Sequence, residues 1–514
     1  MTTEKGLKKH EKYFNQYGKN ELYWGLGIEN ETYLEYTNPL HVSKDFFLKN
    51  HKSERYSVSY YESYKKEALS QVFENYYEKE YKKECNLPLL INAYSFIHTD
   101  LEGNHKTLYV KGNKPNPKFS GQTINDYYKN NPFFKEEFDK CFTYDGDTFE
   151  FMTQNFYKTT IKKTIDELLK SKENFLKSLK NDFPYQNEYG KIRFMTKNHP
   201  FAIYTTNKEN VSMFNNGTYH FNFTLPTILS NGKIADKEKF INDHKKAIRV
   251  LQLFSPILLC IFGSPDPFSK INDTFSACSQ RCSVSRYIGV GTYDTEKMTT
   301  GKLLTVPLDK LELSELPYWW FNRFHSCSSY EKIKDIGMDI NFNKHHFHGI
   351  ELRIFDYFPE EQLEGLLTFI IHLFDLVYYK EEIQNYVLTE QWNNMTEKCI
   401  RYGIETELSS SDLFIIEDLL EKPILSSKVK NVYNEIHQYL SDKYKKDGPV
   451  SSYMMKEIKD DKKEKNEENE EKEEKEENKR WEEKEEINEE NKRWEEKEEK
   501  KDEKDVVKNC CIIS

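Results

Sequence analysis

The chain has 514 residues, 15% of them aromatic, which is long enough for a large buried core and one to three domains. Its formal net charge is −11, but between Lys456 and Asn509 there are 17 Lys and Arg against 25 Asp and Glu, a net charge of −8, which leaves −3 for the rest of the chain. A body this close to neutral lacks the basic surface of a nucleic-acid-binding protein, so we expect no nucleic-acid partner.

The cysteines point to a reducing compartment. The chain has 9 of them, scattered and without a CxxC pair, and no signal peptide opens it. We therefore expect reduced thiols in the cytosol. The longest apolar stretch, Pro256 to Gly263, is far shorter than the roughly 18 residues of a transmembrane helix, so no membrane span is expected.

The first 450 residues have the periodicities of a folded domain. Apolar residues at helical spacing predict long helices over Phe156–Lys180, Lys237–Gly263 and Glu360–Ile383. A further helix is predicted over the segment SSSDLFIIEDLLEK, where a serine can cap the first turn.

Between these helices, period-two alternation predicts strands. In the segment Gly217–Pro226, His220 and Asn222 share a polar face and Phe221 and Phe223 share an apolar one, which is typical of a half-buried strand. Strands mixed with long helices predict an α+β fold with an antiparallel or mixed sheet and helices packed on one side.

The segment GLGIENETYLEY, residues 25 to 36, predicts a strand with an unusual face. Glu29, Glu31 and Glu35 lie on one side of it, together with Tyr33. Like charges at such close spacing repel each other, so this arrangement is expected only where another group offsets the repulsion.

Other predicted strands also present an acid or a histidine on one face, and together they suggest a metal site. If the strands converge, two or three divalent cations would relieve the repulsion among the carboxylates. Oxygen-rich sets with one imidazole suit Mg²⁺ or Mn²⁺ rather than zinc. The alternative is that each acid is an independent surface residue. The candidate ligands are Glu29, Glu31, Glu150, His220 and Glu351.

The composition changes sharply after about residue 455. We divide the chain into a folded domain (1–450), a charged low-complexity linker (451–509) and a C-terminal motif (510–514). The linker contains the unit ENKRWEEKEE twice, and its composition is typical of disorder or of a single exposed helix with Glu–Lys pairs.

The chain ends in NCCIIS, and its last four residues fit the C-a-a-X prenylation motif, with Ser514 favouring a farnesyl group on Cys511. One prenyl chain anchors weakly, so a second signal is expected, and Cys510 is a candidate for palmitoylation. This predicts a prenyltransferase as a partner and a lipid-anchored protein on the cytosolic face of a membrane in a eukaryotic cytoplasm.

Six short motifs, in one order along the chain, resemble those of glutamate–cysteine ligases of the bacterial type. The motifs are GIENET (Gly27–Thr32), EFMT (Glu150–Thr153), YHFNFTLP (Tyr219–Pro226), FGSP (Phe262–Pro265), SQRCS (Ser279–Ser283) and IELRIFD (Ile350–Asp356). The resemblance implies the antiparallel sheet that the glutamine-synthetase type of carboxylate–amine ligase uses to hold metal ions and ATP.

The resemblance also implies a reaction. An ATP- and Mg²⁺-dependent ligase of this family joins the γ-carboxylate of glutamate to the amine of cysteine through an acyl phosphate, in glutathione biosynthesis. Glu29, His220 and Glu351 would hold one Mg²⁺ (or Mn²⁺), and Glu31 and Glu150 would help to hold another.

Further roles follow from the same resemblance. Arg281 would bind a substrate carboxylate and Arg353 the phosphoryl group in transfer, since a planar guanidinium meets oxygens with two parallel hydrogen bonds. Asn222, beside His220, would contact ATP or a metal-bound water.

The chain departs from the family pattern at two points. The family has a further glutamate four residues before Glu150, where this chain has Gly146, which affects the second metal. After the arginine motif, Arg286 and Tyr287 replace a Gly-Tyr pair, which affects the amine substrate. Two alternatives therefore stay open: a ligase with a different amine acceptor, and a catalytically inactive ligase-fold scaffold tethered to a membrane.

Overall fold

The structure is a computed structural model. It describes residues 21–38, 40–41, 84–85, 88–89, 109–110, 114–115, 131–145, 148–179, 186–196, 201–203, 211–213, 217–231, 233–264, 278–279, 340–342, 349–386 and 389–456. The chain divides into two units, Met1–Lys456 and Glu457–Ser514, and all of the described residues belong to the first unit.

The described residues form strands and α-helices in mixed order. The strands are β1 (Glu21–Thr32), β2 (Leu34–Tyr36), β3 (Leu40–His41), β4 (Glu84–Cys85), β5 (Pro88–Leu89), β6 (Tyr109–Val110), β7 (Lys114–Pro115), β8 (Phe142–Asp145), β9 (Thr148–Met152), β10 (Ile192–Phe194), β11 (Phe201–Ile203), β12 (Val211–Met213), β13 (Thr218–Ser230), β14 (Lys233–Ile234), β15 (Ile340–Phe342) and β16 (Ile350–Asp356). The helices are α1 (Pro132–Glu137), α2 (Ile161–Ser178), α3 (Gln186–Tyr189), α4 (Lys237–Phe262), α5 (Leu363–Tyr378), α6 (Glu390–Tyr402), α7 (Ser410–Leu420), α8 (Val429–Tyr444) and α9 (Ser451–Met454). Within these ranges, every helix is too short or too polar to cross a lipid bilayer.

Seven strands form the main sheet, in the order β15-β16-β13-β1-β9-β8, with β14 paired to β13. Every pair in this sheet is antiparallel. The other described strands form one three-stranded sheet and three two-stranded ladders. The predicted α+β fold with an antiparallel sheet is therefore confirmed.

The predicted long helices correspond to α2, α4 and α5. Helix α2 begins later than predicted because Phe156 and Tyr157 pair with strand β1 instead. A 3₁₀ turn, Glu360–Gln362, precedes α5. The predicted serine cap is also present: Ser409 caps α7 and forms a reciprocal capping box with Asp412, which satisfies backbone N–H groups that the first turn leaves unpaired.

Helices α2, α4 and α5 pack against one face of the main sheet, and aromatic rings fill the interface. Phe223 of β13 contacts Phe374 of α5 with ring centroids 5.2 Å apart. Phe151 of β9 contacts Phe175 of α2, also at 5.2 Å and edge to face. Each such ring buries roughly 150–250 Å², so this face of the sheet anchors the core and leaves the opposite face for polar side chains.

Two sequence predictions need correction. The polar face of β13 is not half-exposed, since His220 and Asn222 are buried, as is Phe221 between them. Glu35 does not share a strand with Glu29, because β1 ends at Thr32 and Glu35 lies in β2, between β10 and β5. There its carboxylate accepts a hydrogen bond from Arg193 at 2.9 Å. Glu35 therefore belongs to a separate ion pair.

The described part of the chain ends in α9. Asp375 of α5 accepts the backbone N–H groups of Val450 and Ser451 at 2.6 and 3.0 Å, which fixes the start of this short helix. Residues 451–456 thus belong to the first unit. The bounds of the charged linker and of the lipidation motif stay predictions, because both extend into residues outside the described ranges.

Candidate metal centre

Three neighbouring strands of the main sheet bring Glu29, His220 and Glu351 together. Glu29 of β1 lies directly opposite His220 of β13. Glu351 of β16 lies opposite Asn222, which is two residues from His220 on the same face. Each of the three side chains offers a ligand atom, and these atoms all lie within 4.8 Å of one another. The predicted convergence of distant acids and an imidazole is thus what the fold produces.

A β-bulge helps to shape this cluster. Tyr219 pairs with Phe355 and Phe221 with Leu352, so β16 has one extra residue opposite His220. Bulges are common next to functional sites because they re-aim side chains. Here the bulge shifts the alternation of β16, so that Glu351 before it and Asp356 after it face the same side of the sheet.

His220 is buried between two glutamates. Its Nδ1 lies 3.3 Å from a carboxylate oxygen of Glu29, and its Nε2 lies 3.7 Å from Glu31 and 3.3 Å from the hydroxyl of Thr218. Both ring nitrogens therefore face oxygen atoms on the polar face. A neutral imidazole in this setting can offer one nitrogen to a cation while the other is oriented by hydrogen bonding.

Glu31 and Glu150 extend the cluster towards the edge of the sheet. They lie directly opposite each other on β1 and β9, which puts their Cβ atoms about 4.5–5.5 Å apart. The hydroxyl of Thr218 donates to Glu31 at 2.7 Å. Carboxylates on directly opposed residues repel each other where they face, and a cation or a proton between them relieves the repulsion.

Glu351 is held by two donors. Asn341 of β15 donates to one of its oxygens at 2.5 Å, and the guanidinium of Arg353 donates to the other at 3.0 Å. On the neighbouring strand, Asn222 donates to Glu29 at 3.2 Å. These donors orient the carboxylates, and each oxygen of an ionised carboxylate keeps a further lone pair that can bind a cation.

Four of the described carboxylates on the polar face thus cluster with one imidazole and one guanidinium; the cluster consists of Glu29, Glu31, Glu150, His220, Glu351 and Arg353. Two unit charges 4.8 Å apart repel by about 3–4 kcal/mol at the effective dielectric constant near a protein surface. The donor set is mostly oxygen with one nitrogen, which fits Mg²⁺ or Mn²⁺. The residues present therefore fit the divalent cation that the sequence predicts.

The glycines of the GLG segment have a packing role. The ring of Phe156 lies against β1 on the polar face, so close that a Cβ on Gly25 would be 2.2 Å from a ring atom and one on Gly27 would be 2.9 Å away. Gly217 approaches the backbone of Glu31 even more closely, since its Cβ would meet the carbonyl oxygen at 1.8 Å. These glycines allow close packing around the cluster.

Some predicted residues lie outside the described ranges: Arg281, Arg286, Tyr287, Gly146, Cys510 and Cys511. Conversely, Asn341 and Asp356 contact the polar face and were missed from the sequence. The strand INF around Asn341 is too short to show alternation, so no local pattern could have identified it.

The fold and the site define an α+β protein with an oxygen-rich candidate metal centre on an antiparallel sheet. The chain is 36% identical over 439 residues to the uncharacterized protein R704 of Acanthamoeba polyphaga mimivirus, over 84% of this chain and 77% of the viral protein. It belongs to the family of that viral protein.

One solved structure shows a faint likeness: the bifunctional glutathione synthetase from Pasteurella multocida, with a TM-score of 0.35 and 11% identity. The match covers 86% of this chain and 49% of that chain, so this chain spans about half the length of the Pasteurella protein. No family model matches the chain.

Proposed function

We propose that the protein is an ATP- and Mg²⁺-dependent ligase that joins the γ-carboxylate of glutamate to an amine, with cysteine as the amine. The observation that carries the proposal is the meeting of Glu29, His220 and Glu351 on one face of the sheet, with ligand atoms within 4.8 Å of one another. Support also comes from the ordered motifs of the glutamate–cysteine ligase type, three of which supply these residues.

The proposed reaction has two steps. The γ-carboxylate of glutamate attacks the γ-phosphorus of ATP, which gives an acyl phosphate and ADP. The amine nitrogen then attacks the acyl carbon, phosphate leaves, and the nitrogen loses a proton to give a γ-glutamyl amide. Such chemistry depends mainly on positioning and on neutralising the phosphate charge.

The side chains of the polar face have distinct roles in this proposal. Glu29, His220 and Glu351 would hold one divalent cation, and Glu31 and Glu150 would help to hold a second. Bound cations would neutralise phosphate oxygens of ATP. The carboxylates that would hold these cations are fixed relative to one another, because β1, β9, β13 and β16 are hydrogen-bonded neighbours.

The arginines and Asn222 would bind the substrates. Arg353 would bind the phosphoryl group in transfer, and the support is its 3.0 Å ion pair with Glu351, which holds the guanidinium beside the cluster. Arg281 would bind a carboxylate of the substrate. Asn222 would contact ATP or a metal-bound water from its place beside His220.

The decisive experiment measures phosphate release from Mg-ATP by the purified full chain. We expect release that requires glutamate and an amine, and that stops when EDTA removes the cation. Cysteine, α-aminobutyrate and a panel of other amines identify the acceptor, and mass spectrometry identifies the γ-glutamyl product. Phosphate release with another amine but not with cysteine would show that the other amine is the acceptor. No release with any amine would favour a tethered scaffold without ligase activity.

We also propose that the protein is attached to the cytosolic face of a membrane through Cys511, with Cys510 as a site of palmitoylation. The support is the motif at positions 511–514 and the charged segment before it. In a eukaryotic cell, Cys511→Ser should move the full chain from the membrane fraction to the soluble fraction. Cys510→Ser keeps the prenylation site but loses the proposed palmitoylation site, so it should be attached more weakly than the wild type and more strongly than Cys511→Ser. Membrane attachment of Cys511→Ser would contradict the proposal.

A further inference from the structure

Both edges of the main sheet, as far as the structure describes it, place a polar residue opposite a carboxylate of the candidate metal centre. At one edge, Asn341 of β15 pairs directly with Glu351 of β16. At the other edge, Thr143 of β8 pairs directly with Glu150 of β9. Cross-strand partners share a face of the sheet, so these four residues all belong to the polar face.

The two edge residues use their hydrogen-bond donors differently. The amide nitrogen Nδ2 of Asn341 donates to Oε2 of Glu351 at 2.5 Å. The hydroxyl of Thr143 instead donates to Asp139 at 3.1 Å, in the turn before β8. Hydrogen bonds to an ionised acceptor are roughly twice as strong as those between neutral groups. Asn341 therefore restrains the carboxylate opposite it, whereas Thr143 bonds to a residue outside the cluster.

The position of Asn341 is fixed by the residues on either side of it. Ile340 is buried, and Phe342 packs against Phe240 and His244 of α4, with ring centroids 5.8 and 5.7 Å apart. Because successive residues of a strand alternate between faces, these apolar neighbours hold β15 against the helices and leave Asn341 on the polar face. Asn341 is itself buried, which limits competition from water for its amide.

The charge of the donor also matters for cation binding. Arg353 donates to Oε1 of Glu351 at 3.0 Å and brings a positive charge beside that carboxylate. Asn341 is neutral, so it orients Glu351 without reducing the negative charge that attracts a cation. Carboxylate ligands of metal ions are themselves hydrogen-bonded, and loss of such a partner typically lowers metal affinity by about 10–100-fold.

We propose that Asn341 is a positioning residue of the metal centre, which holds Glu351 in the orientation that binds a divalent cation. The inference rests on the cation site of the proposed function and not on the ligase reaction. Fixing the carboxylate in advance removes rotamer freedom that would otherwise be lost when the cation binds. Thr143, at the other edge of the sheet, has no such role.

The test compares the binding of Mn²⁺ to variants of the full chain. Asn341→Leu removes the donor and keeps a side chain of similar size. We expect its Kd for Mn²⁺, measured by electron paramagnetic resonance, to rise by about 10–100-fold. Glu351→Gln measures the background binding by the rest of the chain, including the charged linker. The Tm of each variant in EDTA shows whether the fold is retained.

Thr143→Val is the matched control, because it removes a hydroxyl opposite Glu150 that bonds to Asp139 instead. Its Kd for Mn²⁺ should match that of the wild type. Asn341→Thr keeps a hydroxyl donor and suits a strand, so its Kd should lie between those of the wild type and Asn341→Leu. Such a partial rescue distinguishes positioning of Glu351 from a purely structural role of the side chain.

An unchanged Kd in Asn341→Leu would overturn the inference, and so would an equal rise in Thr143→Val or the absence of rescue in Asn341→Thr. If Asn341→Leu does not fold, the smaller Asn341→Ala decides by the same comparison with Thr143→Val. A wild type that binds no more Mn²⁺ than Glu351→Gln would refute the cation site itself, and the inference with it. Mn²⁺ binding by a wild type without ligase activity would refute only the proposed reaction and would leave this test in force.

Discussion

Strand β1 lies between two charged clusters, one on each face of the sheet, that differ in how their charges are balanced. On the polar face, Glu29 and Glu31 converge with His220, Glu351 and Glu150. On the helix-covered face, Asn30 lies between those two glutamates in sequence and accepts a hydrogen bond from the ammonium of Lys172 at 2.9 Å.

Lys172 also forms an ion pair with Glu360 and lies 4.7 Å from the centre of the ring of Phe194. Burial lowers the pKa of Lys172, and Glu360 opposes the shift. A cavity of about 900 Å³ borders Lys172 and Glu360, and no residue of the polar-face cluster lines it.

The difference lies in how each cluster balances its charge. On the helix-covered face, the ammonium of Lys172 contacts the carboxylate of Glu360 and the amide oxygen of Asn30, so this set is neutral and its polar groups are paired. On the polar face, carboxylates outnumber cationic groups among the described residues. A satisfied buried pair needs no further ion, and losing either partner is costly because the other charge is left unpaired. An excess of converging carboxylates is instead the arrangement that a divalent cation completes. Neighbouring residues of β1 can therefore have different roles: Asn30 contacts a satisfied ion pair, and Glu29 and Glu31 belong to the candidate metal centre.

The largest expected effect comes from Glu351→Gln. It keeps the shape of the side chain and an acceptor for Asn341 but removes a charged metal ligand. We expect turnover to fall by at least about 100-fold, since metal-bound charge stabilisation contributes several kcal/mol. The rise of Tm with MgCl₂ should be lost as well, because a weaker ligand set binds less cation at the same concentration.

Glu364→Gln is the control, since Glu364 is exposed on α5, away from the sheet face. It should keep both activity and the response to MgCl₂. Wild-type turnover by Glu351→Gln would remove that residue from the metal ligands and with it the main support of the proposal.

The next largest effect is on stability, from Lys172→Met. The variant keeps the apolar stem of the side chain but leaves the oxygen of Asn30 without its donor and Glu360 without its partner. Because Glu360 is about one-third exposed and can be hydrated, we expect a loss of about 1–3 kcal/mol in the free energy of unfolding. Urea unfolding measures it.

The response of Tm to MgCl₂ should persist in Lys172→Met, in contrast to Glu351→Gln. Lys170→Met, at an exposed position on the same helix, should change stability by less than about 0.5 kcal/mol. Loss of the magnesium response in Lys172→Met would show that the two faces of β1 are coupled, and it would contradict the separate roles assigned to the two clusters.

The sequence predicted those elements whose signal is local. Helices α2, α4 and α5 show apolar residues at helical spacing over many turns, and β13 alternates cleanly, so each was located. The period of two also runs through Tyr33 without interruption, which is why Glu35 was placed with Glu29. The break after Thr32 is caused by pairing with β10 and β5, whose partners lie far away in sequence. Local spacing carries no information on such partners.

The candidate site divides in the same way. Glu29, His220 and Glu351 were identified because each lies in an alternating strand that also matches a known motif. The sequence did not identify Asp356, because the bulge opposite His220 decides which face of the sheet Asp356 lies on. A shift of one residue in a strand moves the following side chains to the other face. The sequence did not identify Lys172 either, because its partners Asn30 and Glu360 are 142 and 188 residues away.

The last effect is on the pH dependence of stability and concerns a second buried histidine, His244, whose surroundings contrast with those of His220. His244 of α4 accepts the N–H of Leu225 through Nε2 at 3.1 Å, and its Nδ1 donates to the carbonyl of Phe240 at 2.7 Å, so backbone groups fix one neutral tautomer. Burial lowers the pKa of His244 from 6.5 to about 4.

Because the folded protein resists protonation of His244, the unfolded chain binds more protons between pH 6.5 and about 4, and stability falls as pH falls through that window. From pH 7 to 4.5 this group should remove about 2 kcal/mol from the free energy of unfolding. His244→Gln, which offers an acceptor and a donor but does not titrate, should lose correspondingly less over the same range. Urea unfolding of both proteins at the two pH values isolates the difference from the titration of all other groups. Parallel losses would show that His244 is protonated in the folded state at the lower pH, with the bond from Leu225 broken.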